Sequence, residues 1–322
     1  MSRILRGQAV VLALVAALAP MACGTTGPGP VAGKNLEKSA LKVGVLPIPD
    51  AAPLYIAEDK GFFRQEGLIV EPVVIRGGAE GLPLIRSGAL DITLANYVST
   101  FMAAEKGEPV KVVADLYHAG PKTFQLMVPG DSPIRDVAGL KGKTVLVNTE
   151  HNIGTLVVTA TLARAGVAPG EVRFATEPFP AMAGALTAGE GGAAWMTEPF
   201  ITAGERRQGL RPLADTMTGE LRDLPVAGWV VTERWAADHP RALAGFRRAV
   251  AKGQRLAATS RDEVVAVLPS YTRIGEVTAR QIALGRYPLR TEPAELQRVA
   301  VLMLRYGYLR ERLDVRSVLL AD

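Results

Sequence analysis

Short apolar segments and longer segments of helical periodicity alternate along most of this 322-residue chain. Apolar residues spaced three and four apart are typical of a helix, whereas a short apolar run is typical of a buried strand. Between the helical segments, the pattern predicts strands at 41–46, 68–75, 91–95, 110–116, 123–128, 144–147, 172–175 and 193–195. Strands that alternate with helices predict an α/β fold with mainly parallel sheets that are flanked by helices.

The segment 227–232, AGWVVT, is apolar enough to be one more strand. We expect it to return to the first sheet, because it would stand alone if the domains were simply consecutive. Lobe one is therefore predicted to comprise residues 41–122 and 226–322, and lobe two residues 123–225.

A weak internal repeat supports two similar lobes, since aligning Gly88 with Gly189 matches a helix end, a glycine and a buried strand in each half. From residue 233 onward the pattern is almost entirely helical. Breaks are predicted at Pro240, Pro269, Pro288 and Pro293.

The first 22 residues have the pattern of an export signal. Arg3 and Arg6 precede an apolar run of about 11 residues, which is shorter than the roughly 20 needed to span a bilayer. Cys23 follows directly and is predicted to be the lipid-modified cysteine of a lipoprotein, although Pro20 replaces the usual aliphatic residue. Ordinary secretion and an uncleaved anchor are the alternatives. Residues 23–40, rich in Gly and Pro, are predicted to form a flexible tether.

Composition excludes several classes of function. Cys23 is the only cysteine, so the mature chain offers neither a disulfide nor a thiolate nucleophile. The 37 basic and 32 acidic residues are scattered, which does not suggest a nucleic-acid partner. The three histidines have no second ligand at metal-binding spacing, so no metal is expected.

The segment 41–68 is the most informative one. A short strand ends at Pro47, Asp50 is predicted to be a helix N-cap, and an amphipathic helix then runs to Gly67. This arrangement directs backbone N–H groups to the carboxyl edge of a sheet, where open α/β folds bind ligands.

The same segment contains PLY-x-A, at residues 53–57, and KGFF-x-x-EGL, at residues 60–68. These motifs resemble the opening of substrate-binding proteins of ABC importers for nitrate, sulfonate and taurine, a group that includes thiamine-precursor binders. The resemblance extends more loosely through 77–99, 139–156 and 195–200. It implies a type II periplasmic-binding fold whose chain crosses twice between lobes that enclose the ligand. The chain departs from the family at Gly192, where an Asp is usual.

A ligand held between two lobes needs polar groups from both, together with apolar walls that exclude water. The candidates at strand ends and helix starts are Asp50, Gly78, Asn96, Tyr97 and Tyr117 in lobe one, Asn148, Asn152, Thr155, Trp195 and Glu198 in lobe two, and Trp229 near the return crossing. Each has a structural alternative: the Asp and Asn residues as ordinary N-caps, and the aromatic residues as core packing.

Asp50 and Glu198, from opposite lobes, would together make an acidic mouth, and no arginine occupies an equivalent strand end. We therefore expect a neutral or amine-bearing ligand, with a sulfonate as the alternative. The predicted function is a monomeric, cofactor-free solute-binding lipoprotein that serves an ABC permease and its ATPase. An enzyme of the thiamine-pyrimidine-synthesis type and a receptor for a membrane sensor are the other hypotheses.

Overall fold

The computed structural model describes residues 35–320. The predicted signal peptide, Cys23 and most of the tether lie outside these residues. Within them, no helix combines the length and the apolar character needed to cross a membrane.

The first sheet has five strands in the order β2-β1-β3-β10-β4. Strand β1 pairs in parallel with β2 and β3, whereas β10 is antiparallel to both β3 and β4. Four strands thus run in one direction and β10 runs against them. The strands are β1 (Ala40–Val45), β2 (Ile69–Val74), β3 (Ile92–Asn96), β4 (Val110–His118) and β10 (Pro225–Thr232).

The second sheet repeats this plan in the order β7-β6-β8-β5-β9, with β5 as the reversed strand. Its strands are β5 (Phe124–Pro129), β6 (Thr144–Val147), β7 (Arg173–Thr176), β8 (Ala193–Thr197) and β9 (Leu210–Asp215). Strand β9 was not predicted. It lies at the edge of the sheet, so it is only partly buried and can contain Pro212. Strands β3 and β8 are each the central strand of their sheet, as the internal repeat predicts.

Helices cover both sheets. They are α1 (Ala52–Asp59), α2 (Phe62–Gln65), α3 (Gly78–Arg86), α4 (Tyr97–Glu105), α5 (Ile153–Arg164), α6 (Phe179–Thr187), α7 (Phe200–Gln208), α8 (Glu233–Asp238), α9 (Pro240–Thr259), α10 (Arg261–Tyr271), α11 (Glu276–Ala279) and α12 (Pro293–Arg305). Short 3₁₀ turns occur at Pro49–Ala51, Ala138–Leu140, Pro169–Glu171, Gly219–Leu221 and Val315–Val318.

Two details of the helix prediction were wrong. The single helix expected after the first strand is a 3₁₀ turn followed by α1 and α2. The C-terminal region is less helical than expected, because residues 280–292 form no helix. Pro240 and Pro293 begin helices, where their missing N–H is harmless, but Pro269 lies inside α10 and does not break it.

Helix α9 packs its apolar face on the first lobe. The Phe246 ring lies 5.8 Å from that of Phe63 and 5.5 Å from that of Trp229, edge-on to the latter. At Gly253 a Cβ atom would lie 2.0 Å from the carbonyl oxygen of Pro53 in α1. Only glycine therefore allows this close approach of α1 and α9, which fixes the segment that follows β1.

The chain passes from the first sheet to the second between β4 and β5 and returns between β9 and β10. The α/β fold with two sheets flanked by helices is thus confirmed, with the refinement that each sheet is mixed. The exact lobe boundaries stay a prediction.

Candidate functional site

The carboxyl ends of strands from both sheets meet at a small cavity of about 30 Å³. Its polar lining consists of Asp50 after β1, Asn96 at the end of β3, Asn148 after β6 and Asn152 before α5. The apolar and glycine lining consists of Leu46, Ile48, Gly77, Gly78, Leu94, Phe124, Ile153, Phe179, Trp195, Val226 and Ala227. Six of the eleven predicted ligand-binding residues therefore lie at this cavity: Asp50, Gly78, Asn96, Asn148, Asn152 and Trp195.

Asp50 is the unusual group at this cavity. It lies inside the Pro49–Ala51 turn, and its side chain caps no helix, so the predicted N-cap role is wrong. The side chain is 1% exposed, and its Oδ1 atom has no hydrogen-bond partner in the described part of the chain. Burial raises the pKa of Asp50 from 3.8 to about 7, because an ionised carboxylate loses its hydration there.

Two tyrosines from the C-terminal region hold the turn that carries Asp50. Tyr271 donates its hydroxyl to the carbonyl of Ile48 at 3.2 Å, and Tyr287 donates to the carbonyl of Pro49 at 2.9 Å. Burial raises the pKa of both phenols well above the ordinary value, so they stay protonated donors. The backbone beside Asp50 is thus fixed by residues distant in sequence.

Asn96 and Asn152 are N-caps, as their alternative interpretation predicts. The Oδ1 atom of Asn96 accepts from the Ser99 N–H at 3.0 Å at the start of α4. Asn152 forms a capping box with Thr155 at the start of α5. Thr155 is committed to this box and does not line the cavity. A cap can still face the cavity, and both asparagines do.

Hydrogen bonds connect the two lobes around the cavity. The Asn148 amide donates to the carbonyl of Arg76 at 2.9 Å, and the Ser99 hydroxyl donates to the carbonyl of His151 at 3.3 Å. The Asn152 amide donates to Oδ1 of Asn148 at 2.6 Å. The lobes are therefore in contact, and the cavity has room for little more than a water molecule.

Aromatic side chains form the wall contributed by lobe two. The Trp195 indole stacks on Phe124 with a centroid distance of 5.2 Å, lies 6.0 Å from Phe179, and donates its N–H to Thr216 at 3.2 Å. A Cβ atom at Gly154 would lie 2.5 Å from the Trp195 ring. Glycine at the start of α5 therefore lets the indole reach the cavity wall.

Tyr97, Tyr117 and Trp229 do not line the cavity. The Tyr97 hydroxyl donates to Asp115 at 2.6 Å within lobe one, and the Tyr117 hydroxyl accepts from the Gly285 N–H. Trp229 is buried beneath α9. These contacts fit their interpretation as core-packing residues, since all three side chains are buried among neighbours of lobe one.

Glu198 is also absent from the cavity lining, contrary to the acidic-mouth hypothesis. Its carboxylate accepts from the N–H and hydroxyl of Thr202 at 3.1 and 2.8 Å, and from the Ala283 N–H at 3.1 Å. Burial raises its pKa above the ordinary value. Glu198 thus caps α7 and ties the segment 280–292 to lobe two.

Phe124 and Phe179 line the cavity wall but were not predicted as site residues. Phe124 begins β5, and Phe179 begins α6, the helix that precedes Trp195, so both occupy positions where a side chain can reach a strand end. Gly192, the departure from the family pattern, stands at the start of β8. Its lobe-one equivalent Asp91 accepts from the Lys42 N–H at 2.9 Å and from the Trp235 indole at 2.8 Å.

A model of the family described as NMT1/THI5 like matches residues 48–264, more than half of the chain. Among curated relatives, the riboflavin-binding protein RibY of Chloroflexus aurantiacus is 26% identical over 243 residues, 73% of this chain and 66% of RibY. The 4-amino-5-hydroxymethyl-2-methylpyrimidine phosphate synthase THI11 of Saccharomyces cerevisiae is 32% identical over 111 residues. That match spans 34% of this chain and only 32% of the yeast protein.

Solved structures share the fold. The alkanesulfonate-binding protein SsuA of Xanthomonas axonopodis pv. citri, bound to MOPS, aligns with a TM-score of 0.72 and 17% identity, over 88% of this chain and 99% of SsuA. The periplasmic nitrate-binding protein NrtA of Synechocystis PCC 6803 aligns with a TM-score of 0.75 and 18% identity, over 88% of this chain and 85% of NrtA. The predicted resemblance and the two-lobed periplasmic-binding fold are confirmed.

Proposed function

Since this chain belongs to the NMT1/THI5-like family, we propose that it is an extracytoplasmic solute-binding lipoprotein. It captures a small organic molecule between its lobes and delivers it to an ABC importer. The fold of SsuA and NrtA, both named as binding proteins, supports this function, as does the relative named as a riboflavin-binding protein. As a transport protein, its partners would be a membrane permease and the ATPase of that permease.

The observation that carries the proposal is the unpartnered carboxylate oxygen of Asp50 at a cavity lined by both lobes. A buried polar atom without a hydrogen bond costs about 1–3 kcal/mol. None of the neighbouring asparagine amides donates to it; they donate to the Ser99 hydroxyl, to the Arg76 carbonyl and within the Asn148–Asn152 pair. A ligand that brings a hydrogen-bond donor would supply what the protein lacks.

The same oxygen favours one class of ligand. Once ionised, which in the ligand-free protein happens around pH 7, Asp50 repels anions, and no arginine side chain is among the residues that line the cavity. A sulfonate or nitrate would need donors or a cation at this place. The favoured ligand is therefore an amine, or a neutral ring with an N–H donor, and its apolar part would pack on Trp195, Phe124 and Phe179.

Binding requires the lobes to separate. A cavity of about 30 Å³ is far smaller than the roughly 300 Å³ or more of ordinary ligand pockets. Opening at the cavity would break the Asn148–Arg76 and Ser99–His151 hydrogen bonds, both of which are only partly buried. The amide of Asn148 would then be available to the ligand.

A thermal-shift screen of amines, pyrimidines, riboflavin, sulfonates and nitrate, followed by isothermal titration, tests this function. A ligand at about 100 times its Kd stabilises the protein by about 2.7 kcal/mol. Asp50→Asn should weaken the tightest amine about ten- to a hundredfold, since a charge-assisted hydrogen bond contributes about 1.5–3 kcal/mol. The exposed Asp131→Asn is the matched control and should bind like the parent.

A tight sulfonate ligand, or equal affinity in Asp50→Asn, would contradict the assignment of ligand class. Absence of any stabilising solute across the screen would contradict the solute-binding function itself.

The match to proteins named as pyrimidine phosphate synthases favours an enzyme as the second candidate. Against it, none of His118, His151 and His239 lines the cavity. Mass spectrometry of the ligand after prolonged incubation separates the two candidates. A solute-binding protein returns the ligand unchanged, whereas a converted ligand would favour the enzyme.

A further inference from the structure

A second and much larger cavity, of about 740 Å³, lies on the first lobe. It shares no lining residue with the cavity between the lobes. Strand β4 and Trp229 of β10 line it on the sheet, and α9, residues 288–293 and the chain around Leu319 complete its walls. Its volume falls within the roughly 300–1,000 Å³ of ordinary ligand sites.

Polar and apolar groups share its inner surface about equally, and the apolar side chains include Val112, Trp229, Val250 and Leu319. Leu289 stands at the same cavity and is 63% exposed. A ligand with an apolar body would remove this surface from water. An occupant of this cavity therefore needs an apolar part.

The polar groups at the cavity are mainly donors. The guanidinium groups of Arg247, Arg290 and Arg316 outnumber the two carboxylates, Asp115 and Glu292. Both carboxylates are already hydrogen bonded. Asp115 accepts from the Tyr97 hydroxyl and from Nε2 of His118, each at 2.6 Å, and Glu292 accepts from Nε of Arg290 at 2.8 Å.

Two further donors at the cavity have no acceptor in residues 35–320. The Thr291 hydroxyl accepts the Asp115 N–H at 2.9 Å, and its own hydrogen is not used. The buried Trp229 indole N–H has no partner. Arg290 already pairs with Glu292, and Arg316 lies 3.9 Å from Asp314. The unpartnered donors beside these arginines still favour a ligand that brings negative oxygen atoms.

We propose that this cavity is a second binding site, which takes an organic anion with an apolar tail, such as a medium-chain carboxylate. The tail lies on Val112, Trp229 and Val250, and the anionic head faces Arg290 and Arg316. This chemistry is opposite to that of the cavity between the lobes, where the unmatched group is an acceptor. The two sites therefore take different ligands.

The test uses octanoate as the probe, with octylamine and octanol as the cationic and neutral controls of equal length. Isothermal titration should detect octanoate and show at least tenfold weaker binding of both controls. The Arg290→Gln/Arg316→Gln variant should weaken octanoate about three- to tenfold, as expected for exposed ion pairs. The exposed Arg234→Gln removes one positive charge away from the cavity and should have no effect. Ala251→Trp fills the cavity from its rim and should abolish binding.

Fluorescence locates the probe, because bromine quenches a nearby tryptophan. Octanoate that carries a terminal bromine should quench the parent protein, and Trp229→Phe should lose most of that quenching while still binding the probe. Persistent quenching in Trp229→Phe would place the probe beside Trp195 or Trp235, neither of which lines this cavity, and overturn the proposal. Equal affinity for octylamine, unchanged binding in Ala251→Trp, or no detectable octanoate binding would overturn it as well.

Discussion

Asp50→Asn should change how the stability of the ligand-free protein depends on pH. Burial raises the pKa of Asp50 from 3.8 to about 7, so the folded protein keeps a proton that the unfolded chain releases. Between these two pH values the folded state binds more protons, and its stability must fall as pH rises. Above about pH 7 the loss is complete.

The expected size follows from the pKa difference. Each pKa unit corresponds to about 1.36 kcal/mol, so a rise from 3.8 to about 7 gives about 4 kcal/mol. Asparagine is nearly isosteric with the protonated acid and does not titrate. Asp50→Asn should therefore be close to the parent in stability near pH 4 and gain on it by about 4 kcal/mol near pH 8.

Urea unfolding of both proteins from about pH 4.5 to pH 8 measures this difference, and other titrating groups cancel in the comparison. The exposed Asp131→Asn serves as the control and should give a curve parallel to that of the parent. If the curve of Asp50→Asn is also parallel to the parent, Asp50 has a partner or solvent access in solution. Oδ1 of Asp50 would then not need a hydrogen-bond donor from the ligand.

Three further predictions concern the cavity wall, the inter-lobe contact and the anchor. Gly154→Ala should destabilise the protein by about 1–3 kcal/mol in urea unfolding, because the added methyl group would overlap the Trp195 indole. The control Gly184→Ala has open space around it and should not destabilise the protein, so equal stability of the two variants would refute the overlap. Glu198→Gln should speed hydrogen exchange of the Ala283 N–H and change ligand affinity less than about twofold; a tenfold loss would return this residue to the binding site. Cys23→Ser should move the protein from the membrane fraction to the soluble fraction, and identical fractionation with no lipid mass on the parent would favour ordinary secretion.

The sequence predicts well what depends on local pattern. Nine of the ten strands contain apolar runs and are predicted, including the edge strands β2 and β7, although only one residue of these two is buried. The missed strand, β9, is also an edge strand, and its apolar residues are interrupted by Arg211 and Pro212. Asn96 and Asn152 are recognisable as caps because the residues they cap are their near neighbours.

Long-range contacts were not predictable from one sequence. The tyrosines that hold the Asp50 turn are more than 220 residues away, as the separations of 223 and 238 residues show. Glu198 has a strand-end position that suits a ligand contact, yet the Ala283 N–H, 85 residues further on, occupies its carboxylate. Such long-range pairings decide which polar side chains remain without a hydrogen-bond partner. They leave Oδ1 of Asp50 unpartnered, so Asp50 and not Glu198 is the candidate to bind the ligand.

The most direct test of the central claim is a crystal structure of the protein with the tightest ligand from the solute screen. We expect the ligand between the two sheets, in contact with both lobes, with a nitrogen donor about 2.7–3.2 Å from Oδ1 of Asp50. The ring or apolar part should lie against Trp195. A ligand that contacts one lobe only, or that presents an anionic group with no donor near Asp50, would contradict the account.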